Sequence, residues 1–287
     1  MFNKQLIKDI LSLSKVMISV AVTYTAFAGF VIANGQIDLR IIPLAIGVFI
    51  LSSGASAFNH IIERNTDALM GRTQNRPLPS GRISVKFAVI YAVSLALAGF
   101  LILAFEISLF VGLLGLFNLF WYILVYTPLK KKTVWALFVG TLTGVIPFFM
   151  GYFTIATGLP DPRANFVAIF LMIWQIPHFL LLMGIYGKEY EKAGLASITQ
   201  RTNEPNLYRM SILWLLACCA ILFLFPLYRI SNYLSTNYII IVISGIIFIL
   251  GLYSLISEMK RKYLVMFILT NLMQLTIVTS LIFDHLG

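Results

Sequence analysis

Charge is what this chain has least of. Asp, Glu, Lys and Arg make up 11% of its 287 residues, and only eleven residues are acids; a soluble domain carries about 25% charged residues. With 60% apolar residues and a mean hydropathy of +0.91, so little charge cannot cover the hydrocarbon in water. Lipid must be the solvent. Cysteine is nearly absent as well: Cys218 and Cys219 are adjacent inside an apolar run, which excludes a disulfide framework, and no CxxC spacing offers a zinc or iron–sulfur site. The alternating pattern of a membrane β-barrel is missing. So is a small-residue cleavage site behind a short apolar core, and no cleaved signal peptide is expected. A net charge of +10 would suggest nucleic acid in a soluble protein. Here the basic residues sit between apolar spans, topology explains them, and no nucleic-acid partner is expected.

What is present is a succession of apolar spans, each about the ~20 residues needed to cross a bilayer. Nine are expected, near 15–33, 41–62, 85–105, 107–127, 134–157, 165–186, 207–228, 238–256 and 264–284. Backbone groups in lipid must be satisfied internally, so the spans should be helices. The expectation is an all-α polytopic bundle of about nine transmembrane helices, with residues 1–287 forming a single integral-membrane domain. The N-terminal segment and every second connection hold 18 of the 21 Lys and Arg, including Lys260–Lys262. The other side holds only Arg40, Arg163 and Arg229. The positive-inside rule then makes the N-terminus cytoplasmic. The two longest connections, roughly 63–84 and 187–206, fall on this basic face, where soluble-side chemistry is expected.

The first constellation closes the second span. Asn59, Glu63 and Asp67 fall at i, i+4 and i+8, and line one helical face. Oxygen ligands so stacked suit Mg²⁺, which takes one or two carboxylates and fills its remaining positions with water and phosphate. A frayed, solvated helix end is the competing reading. Three arginines follow in Arg72-Thr73-Gln74-Asn75-Arg76-Pro77-Leu78-Pro79-Ser80-Gly81-Arg82. Guanidinium forks match phosphate oxygens, so acids followed by arginines read as a metal–diphosphate site; positive-inside decoration is the alternative.

The second constellation is Trp174-Gln175-Ile176-Pro177-His178 in the sixth span, where Pro177 should kink the helix. An intramembrane histidine is a functional candidate unless it merely bonds a neighbouring helix. Glu189 and Glu191 add carboxylates on the second long connection, and Lys130-Lys131-Lys132 offers cations after the fourth span. Gly140, Gly144 and Gly151 recur at small-residue spacing in the fifth span, which permits close helix approach.

Together these residues resemble the UbiA-type intramembrane prenyltransferases, and within them the haem-prenylating branch. Asn59, Glu63 and Asp67 match an Asn-x-x-x-Glu-x-x-x-Asp motif, with His60 at its second position and Arg72 through Leu78 following. Trp174-Gln175-Ile176-Pro177-His178-Phe179 is similar to a stretch of that branch, and Tyr190 with Ala193-Gly194 to a second motif in which Glu189 replaces an aspartate. The likeness runs from about residue 10 to 200. Asn65 and Ala193 stand where many members carry acids, so one Mg²⁺ rather than two is expected.

The resemblance implies transfer of a farnesyl group from farnesyl diphosphate to a vinyl group of haem B, giving haem O. It implies Mg²⁺ on Asn59, Glu63 and Asp67, and Arg72 acting with them in catalysis. Substrates would be bound by Arg76, Lys130 or Lys131, Gln175, Trp174, Glu189, and by His178 or His60 on haem, as axial ligand or propionate donor. The expected setting is a bacterial cytoplasmic or mitochondrial inner membrane, with the site facing cytoplasm or matrix. Haem A synthase or a terminal oxidase is the candidate assembly partner. Alternatives are prenylation of a quinone precursor or other aromatic acceptor, and a non-catalytic haem-handling protein.

Overall fold

The computed structural model describes residues 4–256 and 263–287; the expected Lys260–Lys262 cluster lies outside the described residues. The described residues form ten main helices: α1 (Lys4–Leu13), α2 (Val16–Asn34), α3 (Ile41–Asp67), α4 (Val85–Ile107), α5 (Leu109–Leu129), α6 (Ala136–Tyr152), α7 (Pro162–Lys192), α8 (Glu204–Leu224), α9 (Leu234–Ile256) and α10 (Tyr263–Leu286). Eight of them are long and apolar enough to cross a membrane, and α6 is a shorter apolar helix of 17 residues. All nine expected spans are therefore helical, with no strand among the described residues. The chain is an integral membrane protein.

Two boundaries matter for function. The third helix runs five residues past the expected end at 62, so Glu63 and Asp67 remain helical. Helix α7 continues from Pro162 through Pro177 to Lys192. The sequence reading also missed α1, which buries Asp9 and Leu13 while Lys4 and Lys8 stay exposed.

The chain divides into two compact units, 1–30 with 38–154 and 188–196, and 31–37 with 155–187 and 197–287. In the first, α2 and α6 meet backbone to backbone. A Cβ on Gly151 would lie 1.8 Å from the Ala26 carbonyl oxygen, and one on Gly29 would lie 1.9 Å from that of Phe148. Any side chain there would force the helices apart. Helix α5 widens into a π turn over Trp121–Tyr126, a distortion often found at functional sites. It is tied to α6 by Trp121 Nε1–H donating to the Val139 carbonyl at 3.0 Å. In the second unit, Gly184 on α7 faces the Tyr263 ring of α10. The Tyr263 hydroxyl donates to the Glu204 carbonyl at 2.9 Å.

Candidate active site

The acidic stripe is buried. Asn59, Glu63 and Asp67 are 1%, 6% and 1% exposed, so the frayed-end reading falls. A buried charge must be paired, and each member of the stripe meets a cation. Lys15 Nζ donates to Asn59 Oδ1 at 2.5 Å, Lys130 is ion-paired with Glu63, and Arg76 Nη1 donates to Asp67 Oδ2 at 2.8 Å. The second Asp67 oxygen and both ring nitrogens of His60 are buried without a hydrogen bond. Tyr122 and Tyr126 stack one helical turn apart, ring centroids 5.7 Å apart, with the Lys130 ammonium 5.7 Å from the Tyr126 ring. Gly140 leaves room for the Tyr126 ring, which would lie 2.6 Å from any Cβ at that position.

In the sequence, Lys15 reads only as one of the topogenic charges of the N-terminal segment. It sits between α1 and α2 with φ +44°, a left-handed conformation that costs a non-glycine residue on the order of 1–3 kcal/mol and persists only where its surroundings impose it. Ser14 Oγ bonded to the Tyr91 hydroxyl at 2.7 Å, and Ser19 Oγ donating to the Ser14 carbonyl at 3.1 Å, hold that corner. Burial pulls the Lys15 ammonium down to about 7; Arg76 and Lys130 act in the same sense, against Glu63 and Asp67. Lys130 goes the other way: burial opposes its charge, but Glu63, Tyr126 and Tyr122 outweigh it and hold it above the ordinary lysine range.

Of the remaining expected residues, Arg72, Lys131 and Glu189 lie in the same compact unit as the stripe. Arg72 is exposed, and its backbone N–H donates to Glu189 Oε2 at 3.4 Å. This brings the second loop's acid to the first loop. Met70, Ala193 and Leu195, with Tyr190 against them, form the apolar joint between the two segments. Lys131 donates to the Ile62 carbonyl at 3.3 Å on α3, so Lys130 rather than Lys131 engages the stripe. Arg82, read with the other arginines as a phosphate donor, is turned elsewhere. Its guanidinium is bidentate on Asp9 of α1 at 3.0–3.1 Å, and that hydrogen bonding holds the Asp9 carboxyl below its ordinary range against the effect of burial.

Lys15 also lines an open-mouthed cavity of about 170 Å³, together with Leu51, Gly115, Tyr122, Gly144 and Met150. Its walls are mostly hydrocarbon. Trp174, Gln175 and His178 lie in the second unit, on α7. His178 Nδ1 is 2.9 Å from Asn271 Oδ1, Trp174 Nε1–H donates to the Thr270 carbonyl at 2.8 Å, and Gln175 Nε2–H donates to the Leu171 carbonyl at 3.0 Å.

Among the described residues no three His, Cys, Asp or Glu side chains gather into a ready-made metal cage. The stripe nevertheless fits Mg²⁺. It offers two carboxylates and an amide oxygen, all hard donors, and Asp67 has a buried oxygen without a partner.

The model of the UbiA prenyltransferase family matches residues 22–272. The chain belongs to that family. Among its UbiA-family relatives is the protoheme IX farnesyltransferase of Christiangramia forsetii, 33% identical over 266 residues, covering 91% of this chain and 86% of that protein. The mitochondrial protoheme IX farnesyltransferase of Homo sapiens is 37% identical over 198 residues, covering 69% of this chain and 44% of that one. A solved structure concerned with digeranylgeranylglyceryl phosphate synthase shares the fold at a TM-score of 0.78 and 15% identity, covering 98% of each chain. A UbiA homolog from Archaeoglobus fulgidus bound to GPP and Mg²⁺ matches at a TM-score of 0.72 and 14% identity, covering 97% of this chain and 99% of the other.

Proposed function

We propose that this chain transfers the farnesyl group of farnesyl diphosphate to a vinyl carbon of haem B, giving haem O, with Mg²⁺ held by Asn59, Glu63 and Asp67. One observation carries the reading: a buried oxygen-bearing helix face, closed by Lys15, Arg76 and Lys130, shares Lys15 with an apolar cavity. That arrangement suits a substrate with a polyanionic head and a hydrocarbon tail. The relatives named protoheme IX farnesyltransferase support haem as the acceptor. The homolog bound to GPP and Mg²⁺ supports the metal.

When bound, Mg²⁺ would supply Lewis-acid stabilisation to the departing diphosphate. The chain's own residues do the rest. Lys15, Lys130 and Arg76, each on an internal oxygen, exchange that partner for a diphosphate oxygen and fix the head group. Arg72, at the edge of the loop beside Glu189, adds a further donor. The farnesyl tail lies in the cavity. As the allylic C–O bond breaks, pyrophosphate leaves with the electron pair, and the Tyr122 and Tyr126 faces shield the developing cation from nucleophiles. The vinyl carbon then forms the new C–C bond. Water adds to the resulting cation and releases its proton to solvent, leaving the hydroxyl of haem O. His178 contacts the haem. The basic connections support a cytoplasmic or matrix side for this chemistry, and the family match over residues 22–272 supports one functional domain.

The deciding experiment is the product mass from purified protein given haem B, Mg²⁺ and farnesyl diphosphate. A haem heavier by one farnesyl group and one hydroxyl is expected. Unchanged haem beside prenylated 4-hydroxybenzoate would move the acceptor to the quinone-precursor class.

Lys15 gives a sharper test of the diphosphate reading. Glycine adopts positive φ without strain, so Lys15→Gly removes the ammonium while relieving the backbone. Thermal stability should be kept or raised, yet kcat/KM for farnesyl diphosphate should drop by about 10²-fold, the effect of losing one preorganised donor. An unaffected kcat/KM would reduce Lys15 to a hinge residue.

A further inference from the structure

The sequence leaves open how His178 meets haem, and offers no role for the last helix. Both questions turn on Asn271 of α10. Its Nδ2–H₂ donates to the Phe267 carbonyl at 2.6 Å, one turn back on its own helix. That bond settles which end of the amide is which, because the opposite orientation would set Oδ1 against a carbonyl oxygen. Oδ1 therefore faces His178 Nδ1 at 2.9 Å. Oδ1 can only accept, so Nδ1 carries the proton. A neutral imidazole protonated at Nδ1 presents a bare lone pair at Nε2. Such a nitrogen binds a metal and has no proton to donate to a propionate. Trp174 and Phe267 flank the ring with centroids 5.0 and 4.9 Å away, and the Trp174 indole is anchored to the Thr270 carbonyl of the same last helix. The ring is held both in tautomer and in orientation.

We infer that Asn271 is a positioning residue that locks the tautomer of His178, so that Nε2 ligates the iron of the haem acceptor. The inference rests on haem being the acceptor. Such an arrangement, a histidine on iron with its other nitrogen donating to a fixed oxygen, raises ligand basicity and orients the ring. It also supplies a reason for α10 in the reaction: its Thr270 and Asn271 prepare a side chain that α7 carries.

The test is a titration of purified protein with ferric haem B, followed by absorption and electron paramagnetic resonance, without farnesyl diphosphate or Mg²⁺. Wild type should show a nitrogen-ligated haem, and His178→Ala should lose that signature. Asn271→Leu should raise the haem Kd by about 10–100-fold, the usual effect of removing such a partner, and weaken the ligation signal. Asn271→Asp keeps an acceptor and strengthens it, so it should retain the ligand while moving the haem potential to more negative values. Binding of farnesyl diphosphate with Mg²⁺, measured without haem, should persist in all three, which marks an intact fold. Asn271→Leu with wild-type haem affinity and spectrum would overturn the inference, as would an unmoved potential in Asn271→Asp. Wild type that makes haem O without a nitrogen-ligated signal would overturn the ligand role and leave the transferase reading standing. Wild type that neither binds nor converts haem B would overturn both.

Discussion

Asp67→Asn should stop farnesyl transfer, lowering kcat/KM by about 10³-fold or more, while the protein stays folded in the membrane. The side chain is almost isosteric, and the amide oxygen can still accept from Arg76, which bonds one oxygen of Asp67 at 2.8 Å. What disappears is a negative charge at a position 1% exposed, and with it one of the stripe's two carboxylates. Metal stabilisation of a leaving group contributes several kcal/mol, and each 1.36 kcal/mol is a tenfold change in rate. Arg76 keeps 21% of its side-chain surface, so it can turn toward solvent, and the stability loss should be small beside the loss of rate. Asp67→Ala should be equally inactive. Removing Mg²⁺ from wild type with a chelator should reproduce the defect, and adding it back should rescue wild type but not the variant. The measurement is single-turnover transfer beside a thermal melt. A variant turning over at the wild-type rate would remove the metal from the stripe.

The second large effect concerns the pair at the neighbouring turn. Lys130→Met strands the Glu63 carboxylate, 6% exposed, without its ammonium. Breaking a buried ion pair from one side typically costs about 3–5 kcal/mol. Lys130 retains 20% of its side-chain surface, so a loss near the lower end, about 3 kcal/mol, is expected. Diphosphate binding should weaken as well. The double variant Glu63→Gln with Lys130→Met should recover most of the stability, because neither partner is then charged, and should remain inactive. Denaturation of the single and double variants, read beside their transfer rates, separates the two contributions. A double variant no more stable than Lys130→Met would mean that the pair's charge is not what the fold depends on.

These two experiments address side chains whose types the sequence singled out and whose partners it could not. Asn59, Glu63 and Asp67 were legible because a helix repeats every 3.6 residues, so spacing alone puts them on one face. Burial was not legible, and burial is what excludes a solvated helix end. Lys15 shows the limit most plainly. Next to an apolar span it reads as a topological charge, yet a left-handed corner turns it onto Asn59 of another helix. Arg82 shows the reverse error, an apparent phosphate donor consumed by Asp9 of a helix that the sequence reading did not anticipate.

The helical, membrane-spanning character of the chain follows from its one-dimensional pattern, since lipid thickness and backbone satisfaction act on each span separately. The stripe and the Trp174–His178 face follow from local periodicity in the same way. Tertiary structure alone selected Lys15, Arg76 and Lys130 as the cations on that stripe. It placed Glu189 beside the first loop, diverted Arg82, and set the His178 ring against Asn271. These pairings depend on how closely helices approach, as the bare backbones at Gly29 and Gly151 allow. No repeat within a single helix encodes which distant side chain will arrive.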